Sequence, residues 1–292
     1  MRGEKMYFQE MISKLEGYWK KVGCVILPPL DMEVGAGTLS PYTFLKVLGK
    51  KPWRVAYVQP SRRPADGRYG ENPNRLYMHH QFQVIIKPPL EDIKEVYLES
   101  LKSLGLRLSK HEIKFIEDNW ETAVLGAQGV GWEVRLDGLE ITQFTYFQLA
   151  AGIALDPVSV EITYGLERLA MFLQEKENVF DIEWNENVTY GSLRKLEEKE
   201  ECIYAFDESD TNLLFRLFND YESEGKRILS KHILTPGYEF LLKCSHLFNL
   251  LDARGVISPT ERVVMIGRMR TLAEMSAQIV LEREENHEEV SA

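Results

Sequence analysis

Residues 53–58 (WRVAYV) and 77–87 (YMHHQFQVIIK) are two strand-like runs that flank a polar, Gly- and Pro-rich stretch, residues 59–76. Runs of β-branched and aromatic residues bounded by turn formers read as strands. The pattern therefore predicts two antiparallel strands joined by a long loop, and loops of that length inside a compact domain usually carry function. Four arginines, Arg62, Arg63, Arg68 and Arg75, fall within it, interrupted only by Asp66 and Glu71. Guanidinium forks bind phosphate oxygens through paired hydrogen bonds and stay charged, so the loop is a candidate phosphate-binding element. A solvated hairpin tip is the competing reading.

The rest of the chain supplies partners for such a hairpin. Phe8, Met11, Ile12, Leu15, Tyr18, Trp19 and Val22 recur at helical spacing, which predicts an amphipathic helix over residues 6–22 ended by Gly23. A short strand is expected at 24–27. A helix is expected at 42–48, with Ser40-Pro41 at its start and Gly49 at its end. Residues 90–104 read as a helix; 113–118, 132–136 and 139–149 read as strands; 162–176 turns helical in its second half. After about residue 190 the pattern is helical throughout, beginning with a charge run at 194–201 (RKLEEKEE) read as solvated. Thr235-Pro236 and the capping box Ser258-Pro259-Thr260-Glu261 are helix starts. An α+β domain over 1–190 followed by a helical domain over 191–292 is the expectation.

Composition narrows the class. The net charge of −10 argues against a whole-chain nucleic-acid coat, because phosphate binding rests on cationic surface. Three cysteines, Cys24, Cys202 and Cys244, stand far apart with no CxxC pair, and are read as core residues of a protein in a reducing cytoplasm. No apolar run approaches the roughly 18 residues of a membrane span. The stretch MRGEKMYFQE lacks the apolar core of a signal peptide. No GxxxxGK[ST] phosphate loop is present.

A second constellation lies about 90 residues beyond the arginine loop: Glu161, Thr163, Gly165, Glu167 and Arg168, in the string EITYGLER. Gly165 permits close approach of backbone to a ligand. Arg168 falls near a helix start, where the dipole also favours anions. Alone, GLER is a weak signal. An arginine-bearing hairpin followed by a strand leading into G-x-E-R resembles motifs 2 and 3 of class II aminoacyl-tRNA synthetases. The strings LDGLEITQFTYF (136–147), NWE (119–121) and PSRRP (60–64) narrow the resemblance to the α chain of the bacterial two-chain glycyl-tRNA synthetase, over essentially the whole chain.

That resemblance implies an antiparallel class II sheet flanked by helices, followed by an all-helical C-terminal part. It implies activation of glycine with ATP to glycyl-adenylate, then transfer to the 3′ end of tRNA(Gly). Arg62 matches the motif 2 arginine that clamps the α-phosphate and the amino-acid carboxylate, with Arg63 the open alternative. Arg75 would reach the γ-phosphate, Phe82 would stack under adenine, and Arg168 would cover its other face by a cation–π contact. Glu140 matches the acidic residue that helps hold Mg²⁺. Glu161 would bind the substrate ammonium, and Thr163 would fill the space that a side-chain methyl needs. Trp120 would form the adjacent wall and Gln143 a polar contact. The acidic residue usual two positions after the motif 2 arginine is missing, its role vacant or displaced to Glu71. The helix at 40–48 and the strand at 53–58 stand where motif 1 makes a homodimer interface.

His79 and His80 alternate faces and read as packed or surface groups. Gly126, Gly129 and Gly131 (GAQGVG) either shape the wall beside Trp120 or form an ordinary turn. The family further implies a β chain that supplies most tRNA contacts within an α2β2 assembly, with the helical part as docking surface. A non-catalytic synthetase-like sensor of an amino acid or nucleotide is the alternative. Such relatives often lose the motif arginines or the metal carboxylate, and here Arg62, Arg168 and Glu140 are all present.

Overall fold

A computed structural model of the chain describes residues 6–291, with side chains to residue 286; the first five residues of the N-terminal stretch lie outside it. Seven strands form one sheet in the order β1-β2-β3-β7-β6-β5-β4. They are β1 (Val25–Ile26), β2 (Trp53–Arg62), β3 (Met78–Lys87), β4 (Ile113–Thr122), β5 (Ala127–Leu136), β6 (Leu139–Ala150) and β7 (Ile153–Gly165). β1 runs parallel to β2, and every other pairing is antiparallel. The two predicted hairpin strands pair over their full length, from Trp53 opposite Lys87 to Arg62 opposite Met78. β2 extends four residues past the expected end, which shortens the loop to 63–77.

Alternation along the strands separates two cores. Phe82, Val84, Ile86, Phe144, Ile162 and Tyr164 point to one face. There they meet α1 (Phe8–Val22), α3 (Ile93–Ser103) and α4 (Leu166–Leu173). The buried stripe of α1 is Phe8, Met11, Leu15 and Trp19, and the helix ends at Gly23 in the left-handed region, φ 100°. Tyr57, Ile85 and Phe147 point to the other face. They share one apolar cluster with Tyr238, Leu241, Met269 and Leu272 from the C-terminal helices. Those helices are α6 (Thr211–Leu229), α7 (Leu234–Ala253) and α8 (Pro259–Ser291).

Two local expectations change. Instead of one helix at 42–48, the chain makes a 3₁₀ turn, Gly37–Leu39, and a single α-turn, α2 (Phe44–Val47). Tyr57 explains part of this, because its hydroxyl donates to the Gly37 carbonyl (3.1 Å) and meets the Thr43 hydroxyl (2.7 Å). The charge run at 194–201 is the body of α5 (Tyr190–Ile203), and it is not wholly solvated. Glu198 is buried and accepts the backbone N–H groups of Tyr77 (2.7 Å) and Arg68 (3.0 Å). A carboxylate inside a charged stretch thus anchors the arginine loop at its middle and at its C-terminal end. The three cysteines are free and buried.

Candidate active site

The chain at the end of β2 decides which arginine faces the site. Ser61 points inward, its hydroxyl donating to Gln81 Oε1 at 3.0 Å. Arg62 therefore turns the opposite way. It pairs with Glu201 at 2.9 Å and lines a neighbouring cavity of about 260 Å³ against α5. Arg63 leaves the ladder, and its guanidinium Nε donates to the Gly35 carbonyl at 2.9 Å. It lines a second cavity, of about 290 Å³, and lies within electrostatic reach of Arg168 and Glu140. The alternative Arg63, not the preferred Arg62, is the one the fold brings to the other charged groups.

Seven of the candidate residues line that cavity: Arg63 and Arg75 from the loop, Glu140 and Gln143 from β6, Thr163 and Gly165 from β7, and Arg168 from α4. Arg168 and Glu140 form an ion pair of 2.6 Å at the surface of the cavity. The first turn of α4 is fixed from below by Glu167, which accepts the His80 backbone N–H (2.8 Å) and the Tyr190 hydroxyl (2.9 Å) and pairs with His80 Nδ1 at 2.7 Å. Burial pushes the Glu167 carboxyl up, but its bonds from His80 and the charge of that ring bring it below the usual range. The two histidines thus divide: His80 is buried structure, while His79 lines the cavity. Desolvation, aided by Arg63, lowers His79 to about 4, so the imidazole is neutral near neutral pH.

Beside the arginines the floor is built of hydrogen-bonded polar groups. Glu161 is 3% exposed. It accepts Gln83 Nε2 at 2.7 Å and the Thr38 hydroxyl at 2.7 and 3.0 Å. Burial pushes its carboxyl up to about 7, against the lowering effect of those two bonds. Thr163 donates its hydroxyl to Gln83 Oε1. Thr38 belongs to a segment, residues 34–40, that is hydrogen-bonded to these groups. The Gly37 N–H donates to Gln81 Oε1 at 2.8 Å, and Tyr238 of α7 donates its hydroxyl to the Leu39 carbonyl at 2.7 Å. The sequence reading missed this segment and the two glutamines. A signal was present: Gln81 and Gln83 alternate beside the apolar run 84–86 of the same strand, and both are buried.

Besides Arg62, four expected residues do not line the cavity: Phe82, Glu71, Trp120 and Glu161, the last buried beside it. Phe82 stands between Gln81 and Gln83, so alternation turns it to the opposite face, fully buried and edge-on to Tyr164 at 5.9 Å. It belongs to the core and not to the cavity. Glu71 is exposed and does not line the cavity. Trp120 lies on β4, at the sheet edge, and reaches across a gap to the apolar core and not to the cavity. Its register partner on β5 is Gly129, whose own partner on β6 is Phe147. With no side chain between them, Trp120 and Phe147 meet edge to face at 5.4 Å. A Cβ at Gly129 would lie 2.8 Å from the Tyr146 carbonyl oxygen, too close for a real contact. The GAQGVG string is therefore strand as well as turn: Gly126 sits at the bend, and Gly129 and Gly131 keep β5 bare.

Glu140, a partly exposed carboxylate paired with Arg168 at a cavity that Asp66 also lines, suits a magnesium ion whose other ligands are phosphate oxygens. Among the described residues no group of three or more His, Cys, Asp or Glu side chains forms a metal cage. No helix among them is long and apolar enough to cross a membrane.

Comparison with known proteins adds the family. The profile of the family described as "Glycyl-tRNA synthetase alpha subunit" matches residues 8–285. A protein of Coprothermobacter proteolyticus named "Glycine--tRNA ligase alpha subunit" is 58% identical over 281 residues, covering 96% of this chain and 97% of its own. Among solved structures, a pyrrolysyl-tRNA synthetase of Desulfitobacterium hafniense aligns over 62% of this chain and 72% of its own, at 17% identity and a TM-score of 0.43. A second structure of that organism's pyrrolysyl-tRNA synthetase aligns over 63% and 75%, with the same identity and TM-score.

Proposed function

Given that the chain belongs to the glycyl-tRNA synthetase alpha subunit family, we propose that it is the catalytic α subunit of a glycine–tRNA ligase. It activates glycine with ATP and passes the glycyl group to the 3′ end of tRNA(Gly). The observation that carries this reading is the meeting of Arg63, Arg75, Arg168 and Glu140 around one cavity whose floor leads to the buried Glu161.

In the first step a glycine carboxylate oxygen attacks the α-phosphorus of ATP, a P–O bond forms, and pyrophosphate leaves with its electron pair. Both reactants are anionic, so catalysis is chiefly positioning and charge neutralisation. The nucleophile is already ionised and no general base is needed. Arg63, or Arg62 if its ion pair with Glu201 opens, clamps the α-phosphate and the carboxylate. Arg75 meets the γ-phosphate. Arg168 covers adenine, its guanidinium released from Glu140. Magnesium, held at Glu140 and brought with the nucleotide, would neutralise phosphate charge. In the second step a terminal tRNA hydroxyl attacks the glycyl carbonyl and AMP departs.

Glycine is held at its ammonium by Glu161 and Gln143. Thr163 excludes a side chain. Exclusion by clash discriminates more sharply than a hydrophobic pocket, which separates substrates by only about 1–3 kcal/mol per methylene. The catalytic unit is residues 1–190. The helical unit, 191–292, docks a β chain that supplies most tRNA contacts, in a cytoplasmic α2β2 assembly with an α homodimer at its centre. An overall charge of −10 fits an α chain that binds tRNA weakly by itself.

Glycine-dependent ATP–pyrophosphate exchange by the purified α and β chains tests this reading. Exchange above the glycine-free background is expected. Its absence, with intact ATP binding, would instead support the non-catalytic sensor.

A further inference from the structure

Asp118 lies on the edge strand β4, two strands away from Gln143 on β6. In register with Asp118 on β5 stands Gly131, whose partner on β6 is Thr145. A Cβ at Gly131 would overlap the Phe144 carbonyl oxygen. Across this bare stretch of β5 the half-buried Asp118 carboxylate reaches Gln143, whose Nε2 donates to Asp118 Oδ2 at 2.7 Å.

The two ends of a glutamine amide differ in kind, one donating and one accepting, and a neighbour of fixed polarity decides which way it points. An ionised carboxylate only accepts. Nε2 of Gln143 is therefore committed to Asp118, and Oε1 is the end left for the cavity that Gln143 lines. Its register partner on β7, Thr163, has its hydroxyl proton committed to Gln83 Oε1. Gln83 in turn has its Nε2 committed to the Glu161 carboxylate. Three neighbouring groups, Gln143, Thr163 and Glu161, are thus all left as acceptors. Gln81 is set the opposite way: its Oε1 is taken by Ser61 and the Gly37 N–H, so its amide protons remain to be given.

We infer that Asp118 is a positioning residue for amino-acid selection: it fixes the Gln143 amide so that an oxygen, not an N–H, meets the substrate ammonium. The inference rests on the glycine-activating reading of the site and adds to it a residue that does not itself touch substrate. Asp118 and Trp120 share one device, a glycine-bared β5 across which edge-strand side chains reach β6, Asp118 to Gln143 and Trp120 to Phe147.

The test is Asp118→Asn in the complex of α and β chains, read by pyrophosphate exchange with glycine and ATP varied separately. Asn can donate to Gln143 Oε1 and let the amide turn over, presenting N–H to the ammonium. The KM for glycine is expected to rise about tenfold or more, the scale of one hydrogen bond to a charged group, with the KM for ATP and the Tm unchanged. The double variant Asp118→Asn with Gln143→Glu restores an acceptor facing both ways and is expected to recover most of the glycine KM. A single variant with an unaltered glycine KM would overturn the inference. So would a parallel loss in ATP KM and Tm, or a double variant no better than the single. No glycine-dependent exchange by the unsubstituted complex would overturn the functional reading itself, and this inference with it.

Discussion

Gly37→Ala is the sharpest probe of how the floor of the cavity is held. An added Cβ would stand 2.5 Å from Gln83 Cδ and 2.6 Å from Gln83 Nε2. Gln83 is fully buried and held at both ends of its amide, by Glu161 and by Thr163, so it cannot swing away without breaking those bonds. Overpacking of this kind costs about 1–3 kcal/mol of stability. Displacing Gln83 also removes a hydrogen bond to a charged group, about 1.5–3 kcal/mol. At 1.4 kcal/mol per tenfold, that second effect corresponds to roughly a 10- to 150-fold loss in glycine affinity. The atoms nearest the added methyl all belong to Gln83 and none to Arg63, Arg75 or Arg168, so ATP use is expected to stay within about twofold, well below that range. The assay is pyrophosphate exchange with separate glycine and ATP titrations, alongside thermal unfolding. A variant of normal glycine KM, or one whose glycine and ATP constants worsen together, would refute the idea that segment 34–40 acts through Gln83.

Three other outcomes follow from the same geometry. Thr163→Gly opens the space beside Gln143 and is expected to raise alanine-dependent pyrophosphate exchange; unchanged alanine activation would remove Thr163 from selectivity. Glu161, pushed up to about 7 by burial, must lose its proton to meet an ammonium, so the KM for glycine should fall as pH rises from 6 to 8. The stability sign is the reverse: between the ordinary carboxyl value of 4.5 and about 7 the folded chain holds a proton that the unfolded chain has lost. Stability of the ligand-free protein therefore declines across that window. In Glu161→Gln both trends should flatten, as a pH series of glycine titrations and melting curves would reveal. Glu198→Ala strips the buried acceptor from the N–H groups of Tyr77 and Arg68 and should destabilise by about 1–3 kcal/mol. Limited proteolysis should then cut the arginine loop faster, and an undisturbed loop would contradict its anchoring by α5.

Periodicity and turn chemistry are local signals, and the features they govern were readable in advance. The hairpin of β2 and β3, the amphipathic stripe of α1 and the helical tail all announce themselves through residues near in sequence. The clustering of Arg75, Glu140, Gln143, Thr163 and Arg168 depended on likeness to a family, since no spacing rule joins strands so far apart. What stayed hidden depends on faces and on reach. Phe82 looked available for stacking, yet a one-residue step from Gln81 carries it through the sheet. Arg62 and Arg63 are alike on paper, and only the inward turn of Ser61 separates them. Glu198 sits in a run that composition marks as solvated, but loop N–H groups claim its carboxylate. Thr38 and Asp118 touch their partners across 123 and 25 residues, which no local pattern encodes.

The hydrogen bond from Tyr238 to the Leu39 carbonyl ties the tail to the segment that braces Gln81 and Glu161. Phe44, one turn further on, stacks against the same tyrosine ring at 5.6 Å. Chimaeras that splice a foreign tail onto this sheet would thus inherit a slack brace, unless an aromatic hydroxyl arrives at the same spot. Selectivity in hybrid chains should track the origin of α7 as well as that of the strands.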